Sequence, residues 1–147
     1  MTLKIRLFNN SLEDAAQLKK VDQLTFQDCH YSEERIIEIA MDQRNKIFIA
    51  EINGEMIGFI SLLQVQTLHY KGIWVDLIAV IPSYQKQGVA SRLLEQGKEY
   101  SKALGVDFIS GLVAVHNTGS QGTFKKSGFS AVEKDFNLFL WEGKNNG

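Results

Sequence analysis

Apolar and polar residues alternate along this chain with two different periods, which predict a mixture of strands and helices. Leu3, Ile5 and Leu7 alternate with polar residues, as in a strand with one buried face. Ser11 and Ser32 each precede acidic residues and apolar positions at helical spacing, so each predicts a helix N-terminus. The further predicted elements are strands over 46–52, 55–66 and 73–81, a helix over 89–104, a strand over 106–115, a helix over 118–127 and a strand over 135–141.

Turn residues between these segments indicate how the strands pair. Asn53-Gly54 lies between two apolar segments and predicts a tight hairpin, because both residues tolerate positive φ. Pro82 ends the third of these strands, and a helix and another strand follow. A hairpin that leads into a β-α-β unit predicts a mixed sheet with a right-handed crossover. The fold class is therefore α+β with a mixed sheet, in the order β-α-α-β-β-β-α-β-α-β.

Composition and charge exclude several classes of protein. The 147 residues predict one domain over 1–142, followed by a polar tail over 143–147 that we expect to fray. A net charge of −1 argues against a nucleic-acid-binding protein, and the apolar runs are too short to span a membrane. The N-terminus lacks the apolar stretch of a signal peptide, which favours a cytoplasmic location. The single cysteine, Cys29, excludes an internal disulfide, and the histidine spacing predicts no metal site.

The junction between the third central strand and the following helix carries the chemistry. Small residues, Gly88 and Ala90, stand where the helix begins, so backbone N–H groups are open to a ligand and the helix dipole lies behind them. Such a site suits a phosphate or a diphosphate. The loop lacks the Lys-Ser or Lys-Thr of a nucleotide P-loop and the three glycines of a dinucleotide fingerprint. From these residues alone, an ordinary strand-to-helix turn is an equal alternative.

Two segments resemble motifs of the GNAT superfamily of N-acetyltransferases. Gln85-x-x-Gly88-x-Ala90, preceded by Ile78-x-Val80-x-Pro82, resembles its acetyl-CoA-binding motif, and Asn117 with 124–129 is similar to a downstream family segment. The resemblance extends over about residues 3–141 and is specific over 76–129. It implies a GNAT-like acyl-CoA N-acyltransferase fold. It also implies transfer of an acetyl group from acetyl-CoA to a primary amine by direct attack.

The resemblance also implies which residues hold the cofactor. The diphosphate would lie on the backbone of the loop, and the pantetheine arm would pair with the preceding strand, opposite Asn117 and position 124. These cofactor-binding residues are Ile78, Ala79, Val80, Gln85, Lys86, Gln87, Gly88, Val89, Ala90, Ser91, Asn117 and Phe124. The family usually has a tyrosine at position 124 that is proposed to protonate the leaving thiolate, which Phe124 cannot do. Tyr84, Tyr70, His116 or water could replace it.

A general base contributes more to this reaction than a general acid, because a lysine-like amine is protonated at neutral pH and must lose a proton before it attacks. Asp76 is the first candidate, since it shares strand parity with Ile78 and Val80 in the absence of a bulge. His116, at the end of the next strand, is the second. Asp28, Glu33 and Glu34 form an acidic cluster that is either an ordinary helix start or a rim for cationic acceptors.

Two other functions are also compatible with the sequence. Because Phe124 cannot act as an acid, the chain could be an acyl-CoA-binding sensor or regulatory module with little transferase activity. A nucleotide-binding domain could use the same anion loop. The acceptor is a small-molecule or peptide amine, and the aromatic last strand makes a homodimer one expectation.

Overall fold

The computed structural model describes residues 2–26, 29–132 and 134–143, and these form five strands and four helices. A short 3₁₀ turn, Pro82–Tyr84, separates the fourth strand from the third helix. The elements in chain order are β1 (Leu3–Leu7), α1 (Leu12–Thr25), α2 (Glu33–Met41), β2 (Asn45–Ile52), β3 (Glu55–Gln66), β4 (Lys71–Val80), α3 (Val89–Leu104), β5 (Phe108–Gly111) and α4 (Thr118–Lys126).

The strands form one mixed sheet in the order β1-β2-β3-β4-β5, which confirms the predicted fold class. Each of the first four strands pairs antiparallel with its neighbour, whereas β5 runs parallel to β4. The β2–β3 turn has Asn53 at φ 53° and Gly54 at φ 79°, as the Asn-Gly pair predicts. The sheet therefore places β4 between the antiparallel β3 and the parallel β5, and β5 covers only the first part of β4.

Helices cover both faces of the sheet. α3 packs on one face, where Leu93 and Leu94 are fully buried against apolar side chains of β2, β3 and β4. α1 and α2 pack on the other face, where Val21 and Ile36 join residues of β2 and β3. Among the described residues, no helix has the length and the apolar character that crossing a membrane requires.

Local signals in the sequence explain where the helices begin and end. The Ser11 hydroxyl accepts the Asp14 N–H at 3.0 Å, and the Ser32 hydroxyl accepts the Arg35 N–H at 3.2 Å. Each serine thus satisfies one N–H group that the first helical turn leaves unpaired. Gly105 ends α3 in the left-handed region at φ 67°.

Two predicted strands differ from the structure. β5 covers only Phe108–Gly111 instead of 106–115, because its ladder with β4 ends where the two strands diverge. The strand predicted over 135–141 is absent from the described residues 134–143, although its apolar pattern is typical of a strand. A strand requires a neighbouring edge, and among the described residues this segment pairs with none. Most of the predicted polar tail, 144–147, lies outside the described residues.

A buried ion pair links β1 to α1. The Arg6 guanidinium donates to both carboxylate oxygens of Asp14, at 2.8 and 2.9 Å, and also to Glu51 on β2 at 3.0 Å. The Asp14 side chain is buried, and the Asn9 N–H also donates to it. The hydrogen bond from Arg6 holds the pKa of Asp14 below its usual value of 3.8.

Replacing Asp14 with alanine is expected to lower the free energy of unfolding by about 3 kcal/mol, because it leaves a half-buried guanidinium with one partner fewer. Since the folded state lowers the pKa of Asp14, the stabilisation is present above about pH 4 and is lost as the pH falls further. Urea unfolding at neutral and acidic pH measures both effects. Asp42→Ala is the matched control, because the ion pair of Asp42 with Arg44 is on the surface and solvent screens it, so its loss should change stability little. Equal losses for the two variants would contradict the prediction.

Candidate active site

A groove of about 620 Å³ opens where β4 and β5 separate. The parallel ladder between them ends at the pair Val75 and Gly111. β4 continues to Val80 and stays paired with β3 on its other side, while residues 112–114 form the opposite wall of the groove. The edge of β4 that faces the groove therefore presents backbone groups outside any described strand ladder.

Asp76 lies at the point where the groove begins. In the β3–β4 ladder Leu62 pairs with Val75 and Ser61 pairs with Leu77, so Asp76 is the extra residue of a β-bulge. Its side chain is exposed and lines the groove. The bulge also shifts the alternation of faces: Val75 before it and Ile78 after it pack in the same core cluster. Because of this bulge, regular alternation does not place Asp76 on the same face as Ile78 and Val80, as the sequence predicts for a strand without a bulge.

The loop that follows β4 bends through two left-handed residues. Lys86 has φ 61° and Gly88 has φ 85°. Gly88 is the N-cap of α3 and no side chain caps this helix. The Arg92 N–H donates to the Gly88 carbonyl at 3.1 Å, as expected for the first hydrogen bond of a helix. The N–H groups of Val89, Ala90 and Ser91 come earlier in the chain and have no carbonyl of this helix as acceptor. The loop therefore leaves first-turn donors of a 16-residue helix without a helical acceptor.

Two glutamine side chains brace this loop. The Gln85 side-chain amide donates to the Val80 carbonyl at 2.9 Å, and the Gln87 amide donates to the Ser83 carbonyl at 3.2 Å. Both hydrogen bonds run back toward the end of β4. The glutamine at the start of the motif thus fixes the path of the loop relative to the strand.

The predicted cofactor residues divide between the groove and its surroundings. Those that line the groove are Ile78, Ala79, Val80, Gln85, Lys86, Ala90, Asn117 and Phe124. Gln87, Gly88 and Ser91 instead border a shallow depression on the outer side of the loop, together with Arg92. The Val89 side chain is buried in the core beneath α3, so only its backbone is available to a ligand.

α4 forms the wall opposite β4. The Asn117 side chain caps α4 by accepting the Ser120 N–H at 3.0 Å. The Phe124 ring packs edge-to-face on Phe129 at 5.1 Å, and a Cβ atom built on Gly111 would lie 3.1 Å from this ring. Phe124 thus fills the space where the two strands separate with an apolar ring that has no ionisable proton.

The candidates for replacing that missing acid lie outside the groove lining. His116 is exposed in the turn before α4. Tyr84 packs against the core cluster beside α3, and the Tyr70 ring contacts the Phe108 ring at a tilt of 50° at the far end of β5. Asp76 and Lys86 are the charged residues of the described groove lining. In the described part of the chain no cluster of three His, Cys, Asp or Glu side chains could hold a metal ion.

The end of α1 supplies one part of the groove that the sequence did not assign. Leu24, Thr25 and Phe26 line the groove, and both Leu24 and Phe26 are about half exposed. Helical spacing predicts Leu24 on the apolar side of α1, but Leu24 is 51% exposed and lines the groove instead. The predicted acidic rim is not part of this lining: Glu33 and Glu34 are in the first turn of α2, and Asp28 lies outside the described residues.

Comparisons with known proteins agree with this geometry. The model of the Acetyltransferase (GNAT) family matches residues 12–129. An N-alpha-acetyltransferase of Sulfurisphaera tokodaii is 28% identical over 138 residues, which cover 87% of this chain and 81% of the relative. An aminoglycoside acetyltransferase from an uncultured soil metagenomic sample superposes with a TM-score of 0.84 at 14% identity, covering 95% of this chain and 96% of the other. An aminoglycoside N-acetyltransferase in complex with CoA has a TM-score of 0.80 at 19% identity, covering 97% and 96%.

The family model and the N-acetyltransferase relative define an acyltransferase of the acyl-CoA-dependent class. The chain belongs to the GNAT family of acetyltransferases, which confirms the resemblance found in its motifs. Acetyl transfer to an amine is the general activity that this membership and the N-acetyltransferase relative support.

Proposed function

We propose that this protein binds acetyl-CoA in the groove between β4 and β5 and transfers its acetyl group to a primary amine. The observation that carries the proposal is one groove that contains the open edge of β4 and the carboxylate of Asp76 and that reaches the uncapped N-terminus of α3 at Ala90. The first group suits a diphosphate, the second an amide-bearing chain and the third a proton acceptor.

The residues of the groove and of the adjoining loop would hold coenzyme A in three places. The backbone donors over Gln85–Ser91 would hold the diphosphate, since oriented N–H groups at a helix N-terminus attract anions. The backbone of Ile78, Ala79 and Val80 would bind the amide groups of the pantetheine arm. Asn117 and Phe124 would contact this arm from the side of α4. The bound acetyl-CoA supplies a thioester carbonyl with a thiol as leaving group.

The acceptor amine needs a base more than the thiol needs an acid. A lysine-like amine of pKa about 10.4 must lose a proton at pH 7, which costs about 4.6 kcal/mol. Asp76 accepts this proton, directly or through one water molecule, because its exposed carboxylate stands where β4 and β5 separate. A thiol of pKa about 8.5 leaves as thiolate at pH 7 for about 2 kcal/mol. We therefore assign protonation of the thiolate to water.

A second candidate function is an acyl-CoA-binding sensor with little transferase activity, and the apolar Phe124 favours it. Cofactor binding is common to both functions, so it cannot separate them. Release of free thiol in the presence of an amine separates them, because only the transferase couples the two.

Acetyl-CoA at a hundredfold excess over Kd is expected to raise Tm by about 5 to 10 °C, since this excess stabilises the folded state by about 2.7 kcal/mol. Thermal unfolding with acetyl-CoA, ATP and NAD measures the shift. A larger shift with ATP or NAD would indicate a nucleotide-binding domain instead. Thiol release with a panel of small amines, polyamines and peptide N-termini then tests the transfer. No acceptor-dependent release across the panel would favour the sensor.

Three further expectations accompany this proposal. One domain over residues 1–142, a cytoplasmic location and a homodimer stay predictions. Nucleic acid is not an expected partner, because the chain carries no basic excess.

A further inference from the structure

The described lining of the groove is divided between the two faces of the sheet. On the α3 side, Ile78 and Phe124 pack with the core cluster beneath that helix. On the α1 side, Leu77 packs with the other core cluster, and Leu24 and Phe26 continue the lining from the end of α1. We call Leu24, Phe26 and Leu77 the α1 wall. The proposed position of the pantetheine arm, between β4 and α4, leaves the α1 wall to the acceptor amine.

The α1 wall is apolar, and part of it is open to solvent. Leu24 and Phe26 are each roughly half exposed, and both line the groove. A ligand that covers such side chains gains affinity, because apolar surface then leaves contact with water. Full burial of a leucine or a phenylalanine corresponds to about a 10- to 150-fold gain in affinity, so covering half of one corresponds to about 4- to 12-fold.

The charges of the groove suit an acceptor with one ammonium group. In its described lining the charged side chains are those of Asp76 and Lys86. Asp76 attracts the ammonium group that becomes the nucleophile, whereas Lys86 repels a second one. A polyamine or an aminoglycoside would bring several positive charges against one carboxylate and an apolar wall. Removing an ammonium group from water without giving it a partner is unfavourable.

We propose that the acceptor is a primary amine with a single positive charge and an apolar substituent, and that Leu24 and Phe26 select it by contacting this substituent. The inference rests on the proposed acetyl transfer and adds the chemical class of the acceptor. In that transfer the amine nitrogen forms a bond to the acetyl carbonyl carbon, the C–S bond breaks, and the amine proton passes to Asp76. The thiolate takes a proton from water, so the products are an N-substituted acetamide and coenzyme A.

Thiol release with three matched amines tests this selection on the full-length protein. Hexylamine is compared with ethylamine, which has a shorter chain, and with hexamethylenediamine, which has a second ammonium group at the far end of the same chain. All three are alkylamines of similar basicity, so the fraction of neutral amine is similar at a given pH. We expect kcat/KM for hexylamine to exceed each of the other two values by at least about tenfold.

A tripeptide amide with an N-terminal leucine distinguishes the two sources of such an amine, a small molecule and a peptide. Its kcat/KM is compared with that of hexylamine after correction for the fraction of neutral amine. A higher value for the peptide would identify a peptide N-terminus as the source, and a higher value for hexylamine a small molecule. A preference for an N-terminal glycine over leucine in this peptide would overturn the inference.

The variant L24E tests the α1 wall itself. The new carboxylate removes apolar surface and offers a partner to a second ammonium group. The value of kcat/KM should therefore fall about 4- to 12-fold for hexylamine and rise for hexamethylenediamine. The change should appear in KM and not in kcat, because the substituent makes the same contacts in the bound substrate and in the transition state.

L12E is the matched control at the other end of α1. Leu12 is 57% exposed, and it lies outside the groove lining. This variant should keep the wild-type preference for hexylamine. Far-UV circular dichroism spectra identical to that of the wild type establish that L12E and L24E are folded.

Two measurements separate this inference from the acetyl transfer on which it rests. If hexamethylenediamine equals or exceeds hexylamine with the wild type, or if L24E keeps the wild-type preference, the inference is overturned and the transfer stands. Calorimetry of hexylamine with the protein loaded with coenzyme A applies if no amine releases thiol. Binding that L24E weakens would then support selection by the α1 wall without transfer, and the absence of binding would overturn both.

Discussion

Replacing Asp76 with asparagine is expected to lower kcat at least about tenfold and to leave the affinity for coenzyme A nearly unchanged. Asparagine keeps the size and the polarity of the side chain but cannot accept the proton of the acceptor amine. The loop after β4 and the open strand edge are untouched by this change. Steady-state rates with the best amine of the panel and calorimetry with coenzyme A measure the two quantities.

The pH profile adds a readout that a structural role would not produce. As pH rises toward the pKa of the amine, about 10.4 for a lysine-like acceptor, more acceptor is already neutral and the base matters less. The gap between wild type and Asp76→Asn should therefore narrow with increasing pH. A gap that is constant over the accessible pH range would assign Asp76 a structural role at the bulge.

Two controls distinguish Asp76 from other polar residues. Asp107→Asn alters an exposed carboxylate at the opposite end of the β4–β5 pair, where it accepts the Lys71 N–H at 2.9 Å. We expect this variant to keep the wild-type rate. His116→Ala should also keep it, since His116 is outside the groove lining. A tenfold loss in His116→Ala alone would transfer the role of base to that histidine.

Local signals in the sequence predicted most of the elements because they act over a few residues. A capping serine, an Asn-Gly turn or a glycine after a helix determines backbone geometry within one turn. Ser11 and Ser32 accordingly marked helix N-termini that the structure confirms, and Gly105 ends α3 by the same kind of local geometry. The alternation of Leu3, Ile5 and Leu7 gave β1 for the same reason.

Features that depend on distant partners were harder to predict. The bulge at Asp76 arises from the pairing of β4 with β3, and the residue types of β4 do not predict it. The shortened β5 reflects the divergence from β4 after Val75. The missing last strand has a correct strand pattern but no partner within one chain. In each case the sequence determines the preference of a segment, and the neighbouring segment determines whether a ladder forms.

The candidate site shows the same division. Ile78, Val80, Gln85 and Ala90 of the motif line one groove because they are close in the chain and joined by one turn, whereas Gln87 and Gly88 border the depression beside it. The sequence did not show that Gln85 would use its side chain to hold the end of β4. Nor did it assign the end of α1 to the groove, because Leu24 and Phe26 reach it only through tertiary packing.

Replacing Gly88 with alanine is expected to weaken the binding of coenzyme A by about 5- to 30-fold. A residue with a Cβ atom at φ 85° is strained by about 1 to 2 kcal/mol. The free variant can relax this strain by turning the loop, and binding must then restore the left-handed geometry that aims the first-turn N–H groups. The added methyl group has room in the protein itself, because no atom lies within 4 Å of its position. The loss therefore reflects backbone geometry and the close approach of the ligand.

Gly105→Ala is the matched control at the other end of the same helix. Gly105 has φ 67° and also has no atom within 4 Å of an added Cβ, so the substitution strains the backbone to a similar degree. Gly105→Ala should lower the free energy of unfolding in urea by about 1 to 2 kcal/mol, and Gly88→Ala should lower it by less, because its loop can relax in the free protein. Only Gly88→Ala should also raise the Kd for coenzyme A in calorimetry, since only Gly88 is at the N-terminus of α3. Equal affinities for the two variants would mean that the diphosphate does not bind on this turn, and the assignment of the groove would have to change with it.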